Sequence, residues 1–310
     1  MHLFFFRAPE GNFGDDLNHW IWDDLLPGRQ SVAPETHLIG VGTILTDSIS
    51  YPPGRKLVLG SGCGYGNLPK LDDSFDVRAV RGPLTAKRLG LRSEKAICDA
   101  AMLLPTLKRF SESPIKKSDG IVFVPHYKSL GLVDWEAVCH SVGVVYQSPS
   151  DDAEGVIRKI AGADRVIAES LHAAIIADAF GVPWKAVSIG GGFNTFKWSD
   201  WSASLNMGEV DIFPFFNSVR QIREIVKLFK GKALVSDKGA TSDAKKIAPL
   251  QIQHGSKGHW LLSRLALRNL KVCKDGVFNL SDRGVLSDRQ HTFLTMLASV
   301  RKDYDFNDNP

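Results

Sequence analysis

The residues able to move protons or hold an anion in this chain sit where short apolar runs give way to helical stretches. His172 follows the run Arg165–Glu169 and opens the stretch Leu171–Phe180. An imidazole beside the free N–H groups of a helix N-terminus can bind an anion or deliver a proton near neutral pH; the alternative is a buried histidine satisfied by backbone. His126 and Lys128 follow Gly120–Pro125 in the same way, a second imidazole and an ammonium that otherwise belong to a solvated loop. Arg81, in Val80-Arg81-Gly82-Pro83, stands at a third junction, where its planar fork reaches an anion or closes a surface ion pair. Between the first apolar run and the first helical stretch lies GNFGDDLN, residues Gly11–Asn18, whose Asp15 and Asp16 suit helix capping or work on a ligand. Two carboxylates repel a phosphate, so a functional role for this loop means sugar hydroxyls or acid/base chemistry.

Other chemistries lack their residues. The glycines of Gly60–Gly66 (GSGCGYG) are not at dinucleotide-binding spacing, and the segment reads as a strand-to-loop turn or a backbone contact to a ligand. There is no Walker A segment, no HExxH and no GxSxG, and the histidines and cysteines are not grouped for a metal, so no metal site is expected. Cys63, Cys98, Cys139 and Cys273 are scattered, which fits free thiols in a reducing compartment.

The elements that must position these residues alternate between strand and helix. Strands are predicted at Leu3–Phe6, His37–Leu45, Lys56–Gly60 and Asp76–Val80, with helices at Asp15–Leu26 and Pro83–Leu89, the latter closed by Gly90. The apolar runs do not alternate strictly, the pattern of strands covered on both faces. The polar segment Lys108–Asp119 is the expected domain boundary. Beyond it a second array follows: strands at Gly120–Tyr127, Val144–Gln147, Arg165–Glu169 and Trp184–Ile189, and helices at Trp135–Val142, Ala153–Ala161 and Leu171–Phe180. The expectation is an α/β chain with two Rossmann-like domains facing a cleft, spanning 1–112 and 113–231, then a linker and basic helical tail over 232–310. A helix near Val219–Phe229 leads into that tail, in which a linker covers Ser236–Gly258 and amphipathic helices are expected at His259–Val272 and Gln290–Val300.

Charge separates the body from the tail. From Val219 onward there are 17 Lys/Arg against 9 Asp/Glu, leaving 21 against 25 before it. An acidic body argues against a nucleic-acid groove while leaving room for a local cationic pocket. No apolar run reaches the roughly 18–20 residues of a membrane span, and Arg7, Pro9 and Glu10 interrupt the first apolar stretch too early for a signal peptide. A cytoplasmic protein is expected.

Four segments together resemble the polysaccharide pyruvyl transferases, and among them the succinoglycan-type ketal pyruvate transferases: GNFGDDLN (Gly11–Asn18), VRGPLTAKRLG (Val80–Gly90), CDAAMLLP (Cys98–Pro105) and ADRVIAESLHAAIIADAFGVP (Ala163–Pro183). They occur in the family's order within residues 11 to 200. Many members carry Arg-Leu-His where this chain has Ser170-Leu171-His172. The resemblance implies an architecture like the two-domain sugar-nucleotide glycosyltransferases. It further implies transfer of pyruvate from phosphoenolpyruvate to a sugar of a lipid-linked oligosaccharide, closed as a cyclic ketal with release of phosphate and no further cofactor. On that reading His172 and Asp15 are catalytic. Arg81 and Lys128 clamp the donor anion, His126 and Ser170 are further substrate-binding positions, Asn12 and Asp15 hold the acceptor, and Trp198 and Trp201 stack on sugar faces or pack in the core. The basic helix His259–Val272 then lies on anionic lipid at the inner face of the membrane, or packs across both domains. A nucleotide-sugar glycosyltransferase and a non-catalytic carbohydrate-binding subunit are the rival readings.

Overall fold

The computed structural model describes residues 1–118, 120–189, 193–216 and 257–306. The expected helix near 219–229 and nearly all of the expected linker lie outside the described residues.

Among the described residues two parallel sheets form, as the unbroken apolar runs require. In the first, β1 (His2–Leu3), β2 (Thr36–Ile39), β3 (Arg55–Ser61) and β4 (Phe75–Val80) lie side by side in that order. Every residue of β3 except Arg55 is buried, so helices or loops cover both its faces. Short helices α1 (Phe13–Asp16) and α2 (Ile21–Leu25) connect β1 to β2, and α3 (Pro83–Arg88) follows β4 with proline in its first turn. After α4 (Lys108–Ser111) the chain builds the second sheet, ordered β6 (Val145–Tyr146), β5 (Ile121–Val124), β7 (Arg165–Ala168), β8 (Trp184–Ser188) and β9 (Ile212–Pro214). Helices α5 (Trp135–Ser141), α6 (Ala153–Gly162), α7 (Leu171–Ala179) and α8 (Thr195–Ser204) belong to its connections.

One continuous apolar core joins the two sheets, with Leu17, Leu57 and Met102 from the first half and Ile157, Ile176 and Trp201 from the second. The α1 end of the first sheet meets the loop before α6 through Phe13 N–H donating to Pro149 O at 2.9 Å. Helix α8 leaves the second sheet and packs on α3 of the first.

Several expected elements differ at their ends. The single helix expected at Asp15–Leu26 is broken by a tight turn at Leu17–His19. Buried Asn18 donates to Asp15 O and Val41 O and accepts from Val41 N–H and Trp22 Nε1, so its amide competes with the helical backbone bonds. The strand expected over His37–Leu45 stops at Ile39, because Gly40 lies flat under the Trp22 ring and Gly42 takes φ +128°.

The tail forms α9 (Lys257–Lys274) and α10 (Arg283–Asp303). Leu262, Ala266, Leu270 and Cys273 on α9 are buried in the core beside α5, and β5 and β7 contribute to the same cluster. Buried Asp178 of α7 accepts from Ser281 and Arg283 just before and within α10. At the far end of α10, Asp303 pairs with Arg78 and Tyr304 Oη donates to Asp76, both on β4. The tail thus straps the second half to the first. No helix among the described residues is long and apolar enough to cross a membrane.

Candidate active site

Helix α7 is apolar almost all round, and His172 is its one residue that is not buried. That places the imidazole at the helix N-terminus, at the carboxyl end of β7. Its wall comes from the other sheet. A Cβ built on Gly14 of α1 would stand 2.0 Å from His172 Nδ1 and 2.3 Å from Cγ, so only glycine lets this helix approach the ring.

Arg81 follows β4 and is 1% exposed. Its Nη1 donates to Thr43 Oγ1 at 2.8 Å and its Nη2 to Cys63 O at 3.1 Å, while Nε lies 3.4 Å from Asp200 Oδ2. Asp200, buried on α8, also accepts from Thr85 N–H at 2.8 Å and Thr85 Oγ1 at 2.6 Å. These bonds bolt α8 to α3. One turn earlier on α8, Lys197 Nζ bonds Tyr65 Oη at 2.7 Å, and Asn194 Nδ2 donates to Gly64 O at 2.5 Å. The glycine-rich loop after β3 is therefore pinned by Arg81 on one side and by the first turn of α8 on the other.

Asp15 is buried, and Asn12 Nδ2 donates to its Oδ2 at 2.5 Å. Burial pushes its carboxyl up to about 7, with Asn12 and the Lys197 charge opposing. Lys197 is held down to about 7, by burial first and then by Arg81 and Lys128, while Asp15 pulls the other way. The His172 imidazole is lowered to about 3 by burial, then by Lys197, Arg81 and His126. His126 is lowered to about 3 by burial, then by Lys197 and Lys128. Arg81, Lys197 and Lys128 thus stand within electrostatic reach of two imidazoles from the second sheet, while of the nearby carboxylates Asp200 is taken up by Arg81 and Thr85 and Asp15 is held partly protonated by burial.

Of the residues read from the sequence, His172, Arg81, His126, Lys128, Asp15 and Asn12 fall within this one electrostatic group. His126 is fixed through Glu169: His126 N–H donates to Glu169 Oε2 at 2.8 Å, and Ser129 Oγ to Oε1 at 2.9 Å. Lys128 is exposed at the rim. Ser170 is buried at the N-cap of α7 and its side chain caps nothing. Trp198 and Trp201 are placed elsewhere: they are 2% and 0% exposed and pack with Trp184, so the core-packing alternative accounts for both and neither ring offers a face to a sugar.

Lys197 and Tyr65, which join this group, are not among the residues read from the sequence. A signal for Lys197 was present. In Phe196-Lys-Trp-Ser-Asp-Trp201 the two tryptophans are three apart and so are Lys197 and Asp200, the spacing of two helix faces, one for the core and one for the site.

A family profile described as polysaccharide pyruvyl transferase matches residues 58–191. The chain is 46% identical over 209 residues to the succinoglycan biosynthesis protein ExoV of Rhizobium meliloti (strain 1021), an alignment covering 67% of this chain and 66% of that protein. No solved structure matches the chain.

Proposed function

Because the chain belongs to the polysaccharide pyruvyl transferase family, we propose that it transfers pyruvate from phosphoenolpyruvate to a sugar of an exopolysaccharide repeat unit, closing a cyclic ketal and releasing phosphate. The acceptor is lipid-linked and met on the cytoplasmic side of the membrane, and the two sheets are the walls of a glycosyltransferase-like cleft. The observation that carries this reading is the convergence of His172, Lys197 and Arg81 with Asp15, from both sheets, in one electrostatic group, with Gly14 of the first sheet's α1 set directly against the His172 ring.

The reaction sets a definite proton inventory. A donor with three negative charges meets a sugar diol; one hydroxyl proton ends on the enol methylene, making the methyl, and the other leaves with the phosphate as its monohydrogen form. The C2–O bond to phosphate breaks and two C2–O bonds to the sugar form. The site therefore needs a proton donor for C3, a base for the hydroxyls and cations for the departing phosphate. Arg81, through donors its fixed partners leave over, and Lys128 hold the anion, and its charge raises the proton affinity of His172 and Lys197, reversing what burial and mutual repulsion do in the protein alone. Protonated His172 neutralises the leaving phosphate. Lys197 delivers the proton to C3, and Asp15, held by Asn12, takes the hydroxyl proton. The experiment is incubation with phosphoenolpyruvate and an undecorated exopolysaccharide oligosaccharide. A new ketal methyl proton resonance and one phosphate per ketal are expected; selective binding of a nucleoside diphosphate sugar with no phosphate release refutes the reading.

A further inference from the structure

We propose that Tyr65 and Tyr127 form the platform on which the acceptor's sugar ring lies, an inference that rests on the transfer reading above and names its acceptor subsite. A pyranose presents C–H groups on its faces, and these pack on an aromatic face that solvent can reach, close to the group that handles the hydroxyls. Trp198 and Trp201 fail the first condition. Tyr65 meets it, being 41% exposed on the loop after β3. Its hydroxyl is tied to Lys197 Nζ at 2.7 Å and the ammonium lies 4.8 Å from its ring centroid, so the ring is held without being covered.

Tyr127 supplies a second ring from the other sheet, on the loop after β5. It is half-buried, and the His126 ring backs it at 4.5 Å between centroids with 33° between planes. Tyr65 and Tyr127 are each within electrostatic reach of Asp15, and of one another. Leu68, 37% exposed three residues beyond Tyr65, extends the apolar surface outward along the same loop. A Cβ on Gly64, next to Tyr65, would stand 3.3 Å from Thr43 Cγ2, and one on Gly42 3.2 Å from Asp15 Oδ1, so the Tyr65 loop lies against the segment that touches the carboxylate assigned to the hydroxyl proton, near which a sugar must lie for that proton to be taken.

Steady-state kinetics with phosphoenolpyruvate and an undecorated exopolysaccharide oligosaccharide test the platform. Tyr65→Ala and the volume-keeping Tyr127→Leu are each expected to raise KM for the oligosaccharide about tenfold while leaving KM for phosphoenolpyruvate within about twofold. Tyr65→Phe keeps the ring, so the acceptor KM should stay within about twofold while the pH profile of kcat shifts, because Lys197 loses its hydroxyl partner. An unchanged acceptor KM in Tyr65→Ala, or equal increases for both substrates, overturns the platform while the transfer reading stands. If the wild-type protein consumes no phosphoenolpyruvate, that reading fails instead. Saturation transfer to the oligosaccharide alone then decides the platform: loss of signal in Tyr65→Ala supports it and retention overturns it.

Discussion

The substitution Gly14→Ala puts a single methyl group against the proposed catalytic imidazole. The added carbon would lie 2.0 Å from His172 Nδ1, whereas ordinary contact begins near 3.4 Å, so the ring must retreat by about 1.4 Å or α1 must lift away. Alanine is otherwise welcome there. Gly14 lies within a helix and has no left-handed φ, and the exchange favours helix by about 1 kcal/mol, which offsets part of any packing loss. A misplacement of about 1 Å in a catalytic group costs on the order of 100-fold in rate. Phosphate release from phosphoenolpyruvate, followed continuously with the oligosaccharide present, should therefore fall about 100-fold in kcat/KM. The melting temperature should move by only a few degrees. The nitrogen resonances of His172 should shift, reporting a new ring environment. Gly208→Ala is the control, since nothing stands within 4 Å of its added carbon, and it should behave as wild type. A folded Gly14→Ala protein turning over within about threefold of wild type refutes the assignment of His172 to the reacting centre.

Lys197→Met should lower kcat/KM for phosphoenolpyruvate by more than tenfold and remove the limb that falls above about pH 7, because Lys197 must be protonated to donate; retention of that limb assigns it to another group. Asp15→Asn should stabilise the fold at alkaline pH. The Asp15 carboxyl titrates near 7 when folded against about 3.8 unfolded, so its contribution is fully present below about pH 4 and lost as pH rises through about 7. The gain in urea denaturation should thus grow from pH 4 to pH 8 to at most about 4 kcal/mol, reduced by Lys197, and a gain that is flat with pH would contradict it. Asp178→Ala should destabilise by about 3–5 kcal/mol, since the buried carboxylate accepts from Trp184 Nε1 at 2.7 Å as well as from Ser281 and Arg283; a loss under about 1 kcal/mol in urea would show that the tail is held by its apolar faces alone. Vesicle sedimentation distinguishes the two roles expected of the basic tail: with the apolar face of α9 buried in the second sheet's core, replacing exposed Arg264, Arg268 and Lys271 by glutamine should leave binding to anionic lipid unchanged, and a loss of binding would contradict it.

What the sequence made legible was whatever rests on local pattern. The runs at Lys56–Gly60 and Arg165–Glu169 announce buried strands because both faces of such strands are apolar, and Pro83 with Gly90 brackets a helix by backbone chemistry alone. The places of His172 and Arg81 just past the ends of strands, and of Asp15 in the connection after the first one, were legible as well, because strand ends are local pattern too. Long-range facts were not. Nothing near Gly14 reveals that an imidazole 158 residues away rests on it, and nothing near Tyr65 names Lys197 as its partner 132 residues on. The tryptophans of α8 left two roles open, since large aromatic rings suit a core as well as a sugar, and only tertiary packing says which. Asn18 shows the same limit in the backbone, for its bonds to Val41, 23 residues on, break a helix that periodicity alone extends.

Calorimetric titration of phosphoenolpyruvate into the wild-type protein at pH 7.5, in two buffers of different ionisation enthalpy, probes the convergence of His172, Lys197 and Arg81 most directly. In the protein alone, burial and like charge keep the imidazole neutral and the Lys197 amine largely so. A bound trianion restores their protons, so binding should draw about one proton from the buffer, and the uptake should shrink in His172→Gln and in Lys197→Met. Asp15 leaves a residual uptake of its own, so binding with no proton uptake, or uptake undiminished in both variants, would contradict the account.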